Sequence, residues 1–263
     1  MAAGSLADIG VIGGSGFYRF GESSSRQVSV DTPYGPPSAP ITVFEVGGRS
    51  VAFLPRHGLD HELPPHLVNY RANLWALHSI GVGRVIGPCA AGSLHPSVEP
   101  GHFVVLDQLV DRTWGRADTY VSGAPVRHLS FADPYCPELR RVLVAAAAGI
   151  AAVHDGGTVV VVQGPRFSTR AESNWYRAAG WEVINMTQYP EAYLARELGL
   201  CYSGLALITD YDTGLEGVEG IAPVTMDQVF AMLAANVSRT RDLLSAAIPA
   251  IPAAPGCHCS AQT

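Results

Sequence analysis

Short apolar runs alternate with amphipathic segments along most of the chain, and no other feature restricts its fold as strongly. The runs predict strands at 9–13, 41–46, 51–54, 84–86, 102–106, 158–163, 182–185 and 202–209. One helix is predicted to start after Pro64-Pro65 and to run through 69–77. Further helices are predicted at about 137–153, 168–180, 189–198 and 225–247. This order is typical of a mostly parallel or mixed sheet covered on both faces. We therefore expect one α/β domain over residues 1–249, a mixed β-sheet flanked by helices, and a Pro-rich tail over 250–263.

The overall charge is mildly acidic, which bears on the partners that the protein can bind. The chain has 263 residues and a formal net charge of -6, so it has no general attraction for nucleic acid or an anionic membrane. Its longest apolar stretch, Val142 to Val153, is too short to span a bilayer, which takes about 20 residues. The first residues lack the basic start and long apolar run of a secretory signal. We expect a cytoplasmic protein with a small-molecule partner, no nucleic-acid partner and no membrane partner.

All 17 basic side chains, Lys and Arg counted together, are arginines. The absence of lysine excludes a Schiff-base lysine, a Walker-type phosphate-binding lysine and any amine catalyst of lowered pKa. A bound anion must therefore be held by arginine, histidine, hydroxyl groups or backbone N–H groups.

The first predicted strand runs into a glycine-rich loop, Gly13-Gly14-Ser15-Gly16. Arg19 occupies the position of the third glycine in a dinucleotide-binding fingerprint, so NAD binding is disfavoured. The loop also fails as a nucleophile elbow, because Phe17 stands where that motif has glycine. Two interpretations remain, a phosphate or sulfate held by loop N–H groups and the Ser15 hydroxyl, or a plain tight turn.

A second polar cluster, Arg56-His57-Gly58-Leu59-Asp60-His61, follows a predicted strand. An arginine fork beside an imidazole can bind an oxyanion. Zinc is the alternative ligand, but the segment from His61 to His66 has one residue too many for the zincin spacing and contains two prolines. Surface polar residues in a loop are the third interpretation.

Two later segments carry further candidates. Phe167 lies in a Gly-Pro turn, where it either stacks on a planar ligand or belongs to the core. Asp210 and Asp212 end a long apolar strand, a common position for acid and base groups. Asp212 is equally explained as a helix cap, whereas Asp210 needs a partner if it is shielded from water.

Taken in order, the motifs resemble those of the trimeric purine nucleoside phosphorylase family, and within it the branch that acts on S-methyl-5′-thioadenosine. The matching segments are IGVIGGSGF at 9–17, DTPYGPPS at 31–38, PRHGLDH at 55–61, NYRANLWAL at 69–77, AGSL at 91–94, DQLVDRT at 107–113, GPRFSTRAES at 164–173, NMTQYPEAYLARE at 185–197 and TDYD at 209–212. The resemblance implies phosphorolysis: phosphate attacks C1′ of a purine nucleoside, and a free purine and a sugar 1-phosphate are released. It implies a homotrimer, inorganic phosphate as co-substrate, no cofactor and no metal.

The resemblance also implies roles for particular residues. Phosphate would meet Ser15, Arg56, His57, the backbone N–H of Ala90, and Thr187. Met186 and His61 would contact the ribose, and Phe167 would stack on the base. Asp210 would be the catalytic acid at N7 of the leaving purine, and Asp212 would position the base through its amino edge. Such an acid needs a raised pKa.

The aspartate pair favours a 6-aminopurine. A carboxyl group accepts a hydrogen bond from a 6-amino donor, whereas a 6-oxo acceptor would be mismatched in a buried site. We expect adenine release from S-methyl-5′-thioadenosine, with adenosine as a possible second substrate. The alternatives are a 6-oxopurine nucleoside or methylthioinosine phosphorylase of the same fold and, from another class, a non-catalytic nucleoside-binding protein.

The chain departs from the family pattern at Cys89, around the pocket for the 5′ substituent and in the C-terminal tail. Cys89 stands where a phosphate-binding threonine is usual, and a thiol is a weaker donor than a hydroxyl. Residues of the last long helix match the apolar pocket for the 5′ substituent, and one further residue matches a group that relatives supply from a neighbouring subunit. These pocket residues are Met226, Val229 and Phe230 on the helix and His128 from the neighbour. The relatives' longer C-terminal segment is replaced by a short tail.

That tail ends in Cys257-His258-Cys259. Some heat-stable family members carry a similar Cys-x-Cys tail that is thought to be redox-active. The other interpretations are a disordered tail with two exposed thiols and adventitious metal binding.

Overall fold

A mixed sheet of 11 strands forms the centre of the structure, a computed structural model that describes residues 5–21, 25–218, 221 and 225–262. The strands are β1 (Ile9–Gly13), β2 (Arg26–Val28), β3 (Ile41–Val46), β4 (Arg49–Pro55), β5 (Arg84–Ser93), β6 (Phe103–Val105), β7 (Gln108–Arg112), β8 (Val153–Asp155), β9 (Thr158–Val162), β10 (Val183–Asn185) and β11 (Cys201–Tyr211). The helices are α1 (Tyr70–Ser79), α2 (Pro137–Ala147), α3 (Arg170–Ala178), α4 (Gln188–Glu197) and α5 (Met226–Ala250).

Helices cover both faces of the sheet, which confirms the predicted fold class. Leu74 of α1 and Leu194 of α4 pack into one hydrophobic cluster with Ile12 of β1. Val11, the preceding residue of that strand, points to the other face, where it joins the apolar side chains of α2 and α5. This alternation along β1 follows from the two-residue repeat of a strand. Among the described residues, no helix is both long and apolar enough to cross a membrane.

Strand β5 organises the sheet because it pairs with three neighbours. It is parallel to β1 and to β11, whereas β10 approaches it in the antiparallel direction. Ile184 of β10 lies opposite Gly92, so the residues after β10 return towards Cys89 and Ala90 in the middle of β5. On the other side of β5, Asp210 of β11 also lies opposite Gly92. This register brings most of the motifs together at one place.

Two predicted boundaries were wrong. β5 continues past Ile86 to Ser93 through Gly87-Pro88, a pair that usually ends a strand. Glycine is needed there, because a Cβ at Gly87 would lie 2.1 Å from the hydroxyl of Tyr202. The helix predicted over 137–153 ends at Ala147, and the chain reverses at Gly149, with φ at 79°, before entering β8. The alanine run concealed this end because alanine is the strongest helix former.

The C-terminal segment packs against the body of the protein. Ile251 and Cys259 are buried, and Cys257 is partly buried. The backbone N–H of Gly256 donates to a carboxylate oxygen of Glu138 at 2.7 Å. The interpretation of this tail as disordered with two exposed thiols is therefore wrong.

Candidate active site

A buried ion pair joins the end of β4 to the first turn of α4. Arg56 directly follows β4, and its Nε and Nη2 atoms each donate to a carboxylate oxygen of Glu191 at 2.7 Å. Neither side chain has any exposed surface. Burial alone would lower the pKa of Arg56, but the charge and hydrogen bonds of Glu191 raise that pKa above its ordinary value. The guanidinium is therefore charged and largely neutralised by its partner.

Arg56 has little hydrogen-bonding capacity left for a ligand. Nη1 donates to the carbonyl oxygen of Pro88 at 3.1 Å, and Nη2 donates to that of Ile12 at 3.3 Å. With the two bonds to Glu191, four of the five guanidinium N–H groups have acceptors in the part of the chain that the structure describes. Nη1 is 3.0 Å from where a Cβ of Gly14 would lie, so its remaining N–H is next to the glycine loop.

His57, beside Arg56, is a neutral imidazole. Its Nδ1 lies 2.8 Å from the carbonyl oxygen of Leu63, which can only accept, so Nδ1 carries the proton and Nε2 the lone pair. Burial, and then the positive charge of Arg56, lower the pKa of His57 to about 4. At neutral pH its Nε2 can therefore accept a hydrogen bond from a ligand.

The turn between β10 and α4 provides a second anion-binding feature. The Oδ1 atom of Asn185 accepts from the backbone N–H groups of Thr187 and Gln188 at 2.8 and 2.9 Å. Asn185 Nδ2 donates to the Thr187 hydroxyl oxygen at 3.2 Å, so the hydroxyl proton is free to point to a ligand. The backbone leaves the helical region at Tyr189, with φ at −112° and ψ at 135°, so buried Thr187 precedes the continuous turns of α4 and offers a hydroxyl donor rather than a helix dipole.

The loop after β1 closes over the middle of β5. A Cβ at Gly14 would lie 3.3 Å from Cα of Cys89, so glycine permits the close approach. Ser15 on this loop and Ala90 on β5 are partly exposed. Cys89 is buried, its Sγ accepts from Nε2 of Gln188 at 3.4 Å, and burial raises the pKa of its thiol to about 12. The thiol is therefore protonated at neutral pH.

Asp210 and Asp212 lie at the far end of β11. Burial, and to a lesser degree the charge of Asp212, raise the pKa of Asp210 to about 6, although the Thr209 hydroxyl, which donates to Asp210 Oδ1 at 2.6 Å, opposes this rise. Burial also raises the pKa of Asp212. Asp212 Oδ2 is buried and has no hydrogen-bond partner among the described residues. The pair thus combines a carboxyl group that is partly protonated near neutral pH with an unpaired buried acceptor.

The residues predicted to contact ribose and base surround these groups. His61 lies against His57, with ring centroids 4.8 Å apart, and has a left-handed φ of 59°. The turn before Phe167 packs on Met186, because a Cβ at Gly164 would lie 2.5 Å from its sulfur. Phe167 is 70% exposed, so the interpretation that it belongs to the core is wrong. The exposed ring of Phe167 remains available for stacking on a ligand.

The predicted 5′ residues fall into two groups. The first half of α5 packs against the glycine loop. A Cβ at Gly16 would lie 3.2 Å from side chains of this helix. Val229 is partly exposed and Phe230 is 60% exposed, whereas the side chain of Met226 lies outside the described part of the structure. His128 lies in the long connection between β7 and α2 and is exposed. Its predicted role needs a neighbouring subunit.

Sequence reasoning missed the residues that support the anion site. Glu191 is the counter-charge of Arg56, and Tyr202 donates to it at 2.6 Å. Gln188, a hydrogen-bond donor to Cys89, also went unrecognised. The sequence signal for Glu191 was its position one turn after Thr187, since a buried arginine requires a counter-charge.

The fold and this site are typical of an enzyme that binds a small anion next to an organic substrate. The chain belongs to the phosphorylase superfamily, whose family model matches residues 8–249. It is 58% identical over 252 residues to an S-methyl-5′-thioadenosine phosphorylase of Mycolicibacterium smegmatis, covering 95% of this chain and 94% of that protein. It is 54% identical over 272 residues to a purine nucleoside phosphorylase of Streptomyces coelicolor, covering 99% and 96% respectively.

Solved structures agree with these relatives. A methylthioadenosine phosphorylase of Schistosoma mansoni in complex with adenine superposes with a TM-score of 0.88 at 37% identity, over 95% of this chain and 93% of that one. A methylthioadenosine phosphorylase from an antarctic soil metagenomic library superposes with a TM-score of 0.91 at 38% identity, over 98% and 91%.

Proposed function

We propose that the protein catalyses the phosphate-dependent cleavage of S-methyl-5′-thioadenosine to adenine and 5-methylthioribose 1-phosphate. A phosphate oxygen forms the new bond to C1′, and the bond from C1′ to N9 breaks with its electron pair passing into the purine. A proton delivered to N7 then makes the leaving group neutral adenine. The names of the relatives support this pentosyl transfer, and the arrangement of the site supports the details below.

One observation carries the proposal: the carboxyl group of raised pKa lies next to the anion pocket. Asp210 pairs across the ladder with Gly92, two residues along β5 from Ala90. The anion pocket around Ala90 includes Arg56 and Thr187, and a purine at Asp210 would thus lie within one nucleoside length of a bound phosphate. A nucleoside-binding protein without turnover would not need an anion pocket at this position.

In the proposed complex, phosphate is held mainly by single hydrogen-bond donors. Thr187 offers a hydroxyl proton in the turn before α4, and Arg56 offers one N–H beside the glycine loop. Ser15 and the backbone of Ala90 complete the contacts. His57 accepts a hydrogen bond from a protonated phosphate oxygen, because its Nε2 has a lone pair and no proton.

The carboxyl groups match the edge of adenine. Protonated Asp210 can donate its O–H to N7 while its second oxygen accepts from the 6-amino group. The unpaired Oδ2 of Asp212 is a further acceptor for an amino donor. A 6-oxo group would instead face acceptors, at a cost of about 1–3 kcal/mol for each unpaired buried group.

The sugar would lie between His61 and Met186, with Phe167 over the base. Val229, Phe230 and Met226 would form an apolar pocket for the methylthio group. No organic cofactor or metal takes part in this scheme. A cytoplasmic location remains a prediction.

We also propose that the protein is a homotrimer in which His128 of one subunit closes the pocket of the next. Trp114 and Val126, in the same connection as His128, are 73% and 68% exposed, which supports a subunit contact in this region. Light scattering should give three times the 27.8 kDa of one chain. A monomeric mass with full activity would contradict this assembly.

The decisive experiment compares S-methyl-5′-thioadenosine, adenosine and inosine at fixed phosphate. We expect adenine release from S-methyl-5′-thioadenosine only when phosphate is present, a lower kcat/KM for adenosine, and little turnover of inosine. Release of hypoxanthine without adenine would favour the 6-oxopurine alternative, which the name of the Streptomyces relative also makes worth testing. Binding without turnover would favour the non-catalytic alternative.

A further inference from the structure

Four cysteine side chains meet at the end of the sheet opposite the proposed active site. Cys136, Cys201, Cys257 and Cys259, here termed the four-cysteine cluster, have all their sulfur atoms within 4.8 Å of one another. All four are free thiols. Cys201 is the first residue of β11 and Asp210 is close to its end, so about 30 Å of strand separates the cluster from the catalytic acid.

The cluster joins three separate parts of the chain. Cys136 directly precedes α2, and its backbone N–H donates to the carbonyl oxygen of Tyr202 at 2.7 Å. Cys257 and Cys259 belong to the C-terminal segment, which is tied to α2 by the bond from Gly256 to Glu138. Backbone contacts independent of the thiols therefore hold the ligands in place.

The spacing of the sulfur atoms suits a tetrahedral ion. A zinc ion bound by four thiolates, with Zn–S distances of about 2.3 Å, places its sulfurs about 3.8 Å apart. In the cluster the separations stay below 4.8 Å, and Cys201 and Cys257 are 3.3 Å apart. Three of the cysteines are buried and Cys257 is partly buried, so shifts of well under 1 Å per sulfur would complete the geometry.

A buried ion pair lies beside the first residue of β11. Arg84 pairs in register with Cys201, so their side chains emerge on the same face of the sheet. Arg84 Nη2 is 3.9 Å from Oε1 of Glu138, so the two charges largely offset each other. The Nε and Nη2 groups of buried Arg84 nevertheless have no hydrogen-bond partner among the described residues. The sulfurs of a zinc ion bound by four thiolates accept hydrogen bonds from N–H donors of this kind.

The position of Cys136 favours a thiolate as well. It is the N-cap residue of α2, a helix of 11 residues, so its sulfur lies at the positive end of the helix dipole. Zinc binding requires thiolates, and soft thiolate ligands select zinc over the harder divalent ions.

We propose that the four-cysteine cluster is a structural zinc site that fastens the C-terminal segment to α2 and β11. A single ion satisfies all four sulfurs at once and releases their protons to solvent. The site takes no part in the proposed phosphorolysis, which uses residues at the opposite end of β11. Among the cysteines, sequence reasoning considered metal only for the Cys-His-Cys tail, because Cys136 and Cys201 are far away in the chain.

The test is the metal content of the full-length protein, purified under reducing conditions without chelators and with any histidine tag removed. We expect about one zinc ion per chain by elemental mass spectrometry. The double variant Cys257→Ser/Cys259→Ser should retain less than about a tenth of that zinc. The matched control His258→Ala, changed at an exposed residue between the two cysteines, should keep it.

Wild-type protein provides a second readout that does not depend on the variant folding. Thiol-specific mercurial reagents should release the zinc to a coloured chelator, and cobalt in its place should show the strong visible bands of tetrahedral thiolate coordination. Zinc loss should also expose the C-terminal segment to proteolysis while phosphorolysis of S-methyl-5′-thioadenosine persists. Zinc-free wild-type protein carrying one or two disulfides among these cysteines, or a double variant with full zinc content, would overturn the proposal.

Discussion

Replacement of Asp210 by asparagine is the most direct test of the proposed chemistry. The substituted amide would keep the size of the side chain and its contact with Thr209 but could not deliver a proton to N7. Loss of a general acid costs about 10²- to 10⁴-fold in rate. We expect Asp210→Asn to lower kcat/KM for S-methyl-5′-thioadenosine within that range, with a smaller loss for inosine, because an amide can donate to both N7 and a 6-oxo group.

The pKa of Asp210 sets the expected pH dependence. The acid acts when protonated, so the rate is high below the pKa of about 6 and falls as the pH rises through that value. The protonated fraction drops from about one half at pH 6 to about one hundredth at pH 8, which predicts a loss of about 50-fold in kcat/KM. The alkaline limb of the kcat profile should lie at higher pH than that of kcat/KM, because bound substrate removes more water from the carboxyl group and raises its pKa further.

The assay is a pH series at saturating phosphate, so that phosphate titration does not set the profile. Asp212→Asn is the matched control, since it changes the neighbouring carboxyl group and should keep the alkaline limb. An Asp210→Asn variant that retains the wild-type limb, or loses less than tenfold in rate, would show that the acid has been assigned wrongly.

Substitutions at three other positions test the anion pocket. Arg56→Ala should raise KM for phosphate more than KM for the nucleoside, and equal increases would mean that Arg56 does not contact phosphate. Cys89→Thr should lower KM for phosphate by adding a hydroxyl donor, whereas Cys89→Ala should not; if neither changes KM, the residue is outside the site. Glu191→Gln should lower unfolding stability by about 3–5 kcal/mol, or roughly 10 °C in Tm, because Arg56 is left buried without its counter-charge. The control is Asp155→Asn, which breaks a surface ion pair in which Asp155 is 64% exposed. It should lower the free energy of unfolding by under about 1 kcal/mol in the same thermal melt.

The sequence predicts the long, continuously apolar strands well and the short or interrupted strands poorly. Apolar periodicity located β3 without error and β11 to within two residues, because buried strands need continuous apolar runs. The short strands β2 and β8, each of 3 residues, carry no periodicity and were missed. β5 was cut short because Gly87-Pro88 is a local signal for a strand end, whereas the packing of Tyr202 that requires this glycine joins distant parts of the chain.

The same limit applies to the site. Motifs placed the candidate residues at strand ends, and the structure brings Arg56, His57 and Thr187 to the middle of β5. Their protonation and pairing depend on contacts that spacing does not reveal. Glu191 is 135 positions from Arg56, and its place one turn after Thr187 is a weak signal among the 23 acidic residues.

That pairing changes the meaning of an all-arginine composition. Without Glu191, Arg56 would be a full positive charge that binds phosphate tightly and withdraws electron density from the attacking oxygen. With Glu191, the pair is nearly neutral, and phosphate would be oriented by the Thr187 hydroxyl, one guanidinium N–H and the contacts of Ser15 and Ala90. Since only interactions that strengthen in the transition state accelerate the reaction, weak ground-state attraction favours turnover over tight binding. His57 fits this scheme, because its neutral imidazole can accept a hydrogen bond from a protonated phosphate oxygen without adding a positive charge to the site.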